Sequence, residues 1–126
     1  MNSLERKKLM KVDGIDHGQC KIMKLEGEFF LTSVRQVEDT WNRLVAEAPS
    51  VIGIDCKEMS FLDSSAIGTF VKFLHSAMSH NINLIFFDLN ESIIKIFNKA
   101  KLNKIFTIMT REEFESVFLK GPHTSL

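Results

Sequence analysis

Val51-Ile52-Gly53-Ile54-Asp55-Cys56 is an apolar run broken only by one carboxylate, with no alternation of wet and dry positions. A strand with one solvated face alternates, so this run reads as a strand covered on both faces, at the centre of a sheet. On either side of it, helical and strand patterns take turns. Upstream, Val34, Val37, Trp41, Leu44, Val45 and Ala48 form an apolar stripe at helical spacing. Ser33 and Gln36 are placed for a capping box at its start, and Pro49 closes it. Before that helix, residues 8–12 and 19–25 alternate in part around Asp13-Gly14-Ile15-Asp16-His17-Gly18, whose Asp-Gly step signals a turn, and they read as an antiparallel pair.

Downstream, Ile67, Phe70, Val71, Phe73, Leu74, Ala77 and Met78 make a wide helical stripe that Ser79-His80-Asn81 ends. Residues 82–88 are strand-like, and Asn90 caps a short helix carrying Ile93, Ile94, Ile96, Phe97 and Ala100. Residues 105–109 form a last strand. Thr110-Arg111-Glu112-Glu113 then has the form of a capping box ahead of Phe114, Val117 and Phe118. The predicted order is β-β-α-β-α-β-α-β-α, an α/β domain with a mostly parallel mixed sheet of about five strands and about four α-helices.

The composition fits one domain with one core: 126 residues, 44% hydrophobic and 25% charged. The domain spans residues 8–119, between an N-terminal extension (1–7) and a loose tail (120–126). Sixteen basic and sixteen acidic side chains cancel, so no net field draws the chain to nucleic acid or to an anionic membrane. The expected partner is a specific protein. Near-zero charge also sets little repulsion against self-association, and the oligomeric state stays open.

Cys20 and Cys56 lie in apolar strands without zinc-ligand spacing, so both are expected in the core and no metal is expected. The polar start lacks the apolar centre of a signal peptide, and no apolar run reaches membrane-spanning length. A cytoplasmic protein with no direct membrane insertion is expected. No glycine-rich nucleotide loop occurs, so no cofactor is expected either.

Chemistry concentrates in Phe61-Leu62-Asp63-Ser64-Ser65-Ala66-Ile67-Gly68, where a strand hands over to a helix. A hydroxyl there can be a cap, a nucleophile or a phosphate acceptor. Asp-Ser ahead of an apolar helix is an ordinary N-cap. Gly-x-Ser-x-Gly is absent and His17, His75, His80 and His123 are scattered, which speaks against serine catalysis and against an enzyme. The orphan N–H groups and dipole of a helix start favour negative charge by about 0.3–1 kcal/mol, so a phosphate on Ser64 is compatible with the helix. Asp55 reads as a polar strand-end residue, since no acidic pair or strand-terminal lysine accompanies it.

Four segments across about residues 8–119 resemble STAS domains, of the small kind typified by bacterial anti-sigma-factor antagonists. They are Leu25-Glu26-Gly27-Glu28, the strand from Val51 to Asp55, the stretch from Met59 to Gly68, and the stretch from Phe97 to Phe106. The resemblance implies a phosphoacceptor at the serine directly after the aspartate, Ser64, with Ser65 as the fallback. It implies a partner that is both an anti-sigma factor and an ATP-dependent serine protein kinase, with a serine phosphatase acting transiently. In that scheme the unphosphorylated form sequesters the kinase and frees the sigma factor.

Asp63 would orient the acceptor, and Ser65, Ala66 and Ile67 would lie beside it at the partner surface, Ile67 being equally a core candidate. Two departures stand out. Gly27-Glu28-Phe29-Phe30 has Phe30 where many relatives carry aspartate, leaving Asp88 as a substitute acid, and Ala66 replaces a usual glycine. They keep a second role open: a STAS binding module without a phosphoryl cycle, such as a subunit of a lipid-transport complex.

Overall fold

The computed structural model describes residues 10–119, so the expected extension 1–7 and tail 120–126 lie outside the described residues. Six strands form one mixed sheet: β1 (Lys11–His17), β2 (Cys20–Phe29), β3 (Val51–Asp55), β4 (Met59–Leu62), β5 (Asn83–Phe87) and β6 (Thr107–Met109). The lateral order is β1-β2-β3-β5-β6, with β4 also paired to β2, and only the β1–β2 ladder is antiparallel. Helices α1 (Val34–Ala46), α2 (Ser64–Ser79) and α3 (Glu91–Lys99) join strands, and α4 (Arg111–Phe114) follows β6. The α/β class and four helices stand as expected, while β4 raises the expected five strands to six. No described helix is long and apolar enough to cross a membrane.

The central strand behaves as read: all five residues of β3 are buried, between β2 and β5. The first hairpin differs. Its turn is Gly18-Gln19, because His17 pairs with Cys20 and Gly18 takes the positive φ (71°) that a tight turn requires. Asp13-Gly14 lies inside β1 instead, where a Cβ on Gly14 would sit 3.3 Å from Leu44 of α1. Glycine there admits a helix, not a turn.

The Ser33–Gln36 capping box also does not form. A 3-10 turn, Leu31–Ser33, runs straight into α1, so Ser33 never adopts the extended backbone of a cap, and Gln36 donates to the Met10 carbonyl at 3.3 Å. The last strand starts at Thr107 rather than 105, because a 3-10 turn at Leu102–Lys104 uses up the approach. After α4 the chain continues as a π turn, Glu115–Leu119, which leaves Val117 exposed rather than in the expected stripe.

Helices α1, α2 and α3 cover one face of the sheet. Phe70 is the centre of that core, with ring centroids 5.5 Å from Phe29, 6.3 Å from Phe73, 4.9 Å from Phe86 and 6.5 Å from Phe97. Trp41 stacks on Phe73 at 4.3 Å and donates its indole N–H to Ser76 Oγ at 3.1 Å. On the other face a smaller cluster, Cys20, Ile22, Val51, Ile85 and Phe87, is capped by Phe114 of α4. Both thiols are buried, as expected, and burial pushes the Cys56 thiol well above and the Cys20 thiol above the ordinary range.

Candidate functional site

β2 is long enough to serve two neighbours in succession. Its first half, Cys20–Lys24, pairs with β3, and its last residues, Gly27–Phe29, pair with β4, which therefore takes over beside β2 where β3 stops. The turn between β3 and β4 is held from two sides. Asp55 Oδ1 accepts from the Lys57 N–H at 3.2 Å. Asn90 Nδ2 donates to the carbonyls of Met59 (2.7 Å) and Lys57 (3.0 Å), while its Oδ1 accepts from Ile93 N–H and caps α3 as expected. One amide thus joins the start of α3 to the chain that leads into the site, a role no sequence pattern announced.

Gly27 pairs with Met59 and Glu28 with Phe61, so Ser60 is an extra residue with no ladder partner. Such a bulge re-aims side chains at the end of a strand. Met59 and Leu62 point into the core, and both Ser60 and Phe61 point out. Phe61 is 40% exposed and meets the half-buried ring of Phe30 at 5.5 Å, and Leu31 beside it is 67% exposed. The strand that hands over to the helix is therefore only half buried: its penultimate residue is an outward aromatic, and Leu62 returns to the core just before Asp63.

Asp63 anchors the junction with both carboxylate oxygens. Oδ1 accepts from Ala66 N–H at 3.0 Å as the N-cap of α2, and Oδ2 accepts from Leu31 N–H at 3.2 Å, across to the segment after β2. Its own N–H donates to the Phe29 carbonyl. Ser64 is the first helical residue and is exposed, and Ser65 is half-buried. Gly68, one turn beyond Ser64, is exposed with open space where a side chain would be. Ala66 is fully buried beneath the first turn, so its side chain does not belong to a partner surface, contrary to the expectation. Ile67 is half-buried and packs on the main core.

The double anchor predicts that Asp63→Ala lowers stability by about 1–2 kcal/mol, read from the denaturant midpoint. Asp63→Asn should recover only the cap part of that loss, since asparagine caps comparably but its NH2 cannot accept from the Leu31 N–H. An unchanged midpoint in Asp63→Ala would rule the anchor out.

Asp88, the expected substitute acid, is engaged by Arg111. Its Oδ2 accepts from Arg111 Nε at 2.7 Å, while Arg111 Nη2 reaches Asp55 Oδ2 at 2.7 Å, so one guanidinium joins the ends of β5 and β3. Desolvation opposes the Arg111 charge, but the hydrogen bonds to Asp55 and Asp88 outweigh it and hold its pKa above the ordinary value. Among the described residues no group of three His, Cys, Asp or Glu side chains could hold a metal ion.

The sequence profile of the STAS domain matches residues 11–115. The structure is similar to an anti-sigma factor antagonist from Mycobacterium paratuberculosis, at 15% identity, with 87% of this chain and 94% of that chain covered and a TM-score of 0.77. It is also similar to the anti-sigma factor antagonist SpoIIAA in its unphosphorylated form (17% identity, 86% and 94% covered, TM-score 0.63). The Bacillus cell fate determinant SpoIIAA in its phosphorylated form aligns at 18% identity, with 83% and 95% covered and a TM-score of 0.61. At these identities the likeness is one of fold.

Proposed function

The chain belongs to the STAS domain family, and from that premise we propose that it is an anti-sigma factor antagonist, a binding module switched by phosphate on Ser64. The observation that carries this reading is the exposed Ser64 hydroxyl at the first position of a sixteen-residue helix whose N-cap, Asp63, is pinned on both oxygens. The partner is an anti-sigma factor that is also a serine protein kinase, and a serine phosphatase reverses the modification. The protein itself turns over no substrate.

A phosphate on Ser64 adds about −1.5 to −2 charges at a helix start, where the dipole and the orphan N–H groups tolerate it. The same charge next to Asp63 and the outward Phe61 and Leu31 has to be desolvated by any partner resting on that surface. A loss of about 1.4 kcal/mol already weakens binding tenfold. Phosphorylation therefore releases the partner while the fold stays intact.

Incubation with the partner kinase and ATP is expected to add one phosphate to the wild type and none to Ser64→Ala, by intact mass. An adduct that persists in Ser64→Ala transfers the site to Ser65. The outward pair Phe30–Phe61 favours the second reading, a STAS subunit that docks an apolar partner with no phosphoryl cycle, as in a lipid-transport complex. Stable copurification with a transporter ATPase, and no adduct, would establish it.

A further inference from the structure

The two faces of the sheet are held very differently. Three helices cover one, and among the described residues only the arm from Thr110 to Leu119 covers the other. A capping box between Thr110 and Glu113 organises the arm internally, and two holds fix it to the sheet. Arg111, itself a third exposed, bridges Asp55 and Asp88 and lies 5.2 Å above the Phe87 ring. Phe114 stacks on Phe87 at 4.0 Å and 3°.

Beyond Phe114 the grip weakens, since Phe118 and Leu119 are half-buried and Val117 is exposed. The root of the arm is β6, an edge strand of three residues paired to β5. An element with one buried ring, one partly exposed ionic cluster and an edge attachment belongs to the low end of local opening free energies.

We propose that the arm is a strap, lifting from the sheet as a unit while the main core stays folded. Lifting uncovers the apolar face of Cys20, Ile22, Val51, Ile85 and Phe87 and leaves Asp55 and Asp88 without their cation. Because Asp55 also holds the Lys57 N–H of the turn into β4, the state of the strap bears on the segment that presents Ser64.

The chain carries its own pair of reporters. Cys20 lies in the cluster under the strap, and Cys56 lies fully buried in the main core. Native protein is treated with iodoacetamide, the rate at each cysteine is read by peptide mass, and each rate is divided by that of the denatured chain. Cys20 is expected to react at least about tenfold faster than Cys56, equivalent to about 1.4 kcal/mol between local and global opening. Arg111→Ala should speed Cys20 by a further factor of about ten and leave Cys56 unchanged. Equal normalised rates in the wild type mean that both thiols are exposed only by global unfolding, and overturn the strap. Because Cys20 starts slightly more exposed than Cys56 (5% against 0%), the strap requires both the wild-type ratio and its further rise in Arg111→Ala, and Phe114→Leu takes the place of Arg111→Ala where that variant does not fold.

Discussion

Phe70→Ala is expected to lower the unfolding free energy by about 3–5 kcal/mol and the thermal midpoint by roughly 10–20 °C. Phe70 is fully buried and touches the rings of Phe29, Phe73, Phe86 and Phe97, which come from β2, α2, β5 and α3. Truncation removes apolar area and leaves a cavity that these stiff rings cannot collapse to fill. The effect should be confined to stability, since Phe70 lies on the core side of α2 while Ser64 faces solvent. Thermal and urea unfolding check the magnitude. A midpoint within a degree or two of the wild type would show that the aromatic cluster does not act as one packed unit.

Gly53→Ala is expected to cost about 1–3 kcal/mol by overpacking. A Cβ at this position would stand 2.4 Å from Phe114 Cζ and 3.0 Å from Phe87 Cε1. Neither ring can yield while it stays in its place, because both are buried and stacked on each other. β3 is central in the sheet, so the backbone cannot retreat. The added methyl therefore expels Phe114, and the small core under the arm should open before the main one. Gly68→Ala is the natural control, because open space surrounds that glycine and alanine is the better helix former. Urea unfolding of the two variants should move in opposite directions.

Where one physical signal ruled a segment, the sequence showed it. β3 is apolar up to its terminal Asp55 because both its faces are covered, Asn90 caps α3, and Thr110 with Glu113 closes a capping box. What failed to show was set by contacts distant in sequence. β4 has no legible period, since the bulge at Ser60 sends two successive residues outward between Met59 and Leu62. Asp13-Gly14 carries a turn signal, yet the glycine answers to Leu44 thirty residues on, and the turn falls at Gly18.

At the site, a cap from the Asp-Ser pair followed from the motif, and the burial of Ala66 did not. The third residue of a helix turns inward or outward according to how the preceding strand delivers the chain. The grip of Asn90 on the β3–β4 turn and the span of Arg111 between two strand ends need the assembled sheet edge. A polar residue after a strand is their only trace in one dimension.

The extra residue in β4 sets where this chain tolerates a change of length. The partners of Met59 and Phe61 are adjacent on β2, so a chain shortened by Ser60 alone would keep every pair of that ladder and the same inward and outward faces. Loss of any one residue within Val51–Asp55 would instead exchange the two faces of the central strand beyond the gap. Across natural variants of this sheet, single-residue deletions should therefore accumulate at the approach to Asp63 and be absent from β3.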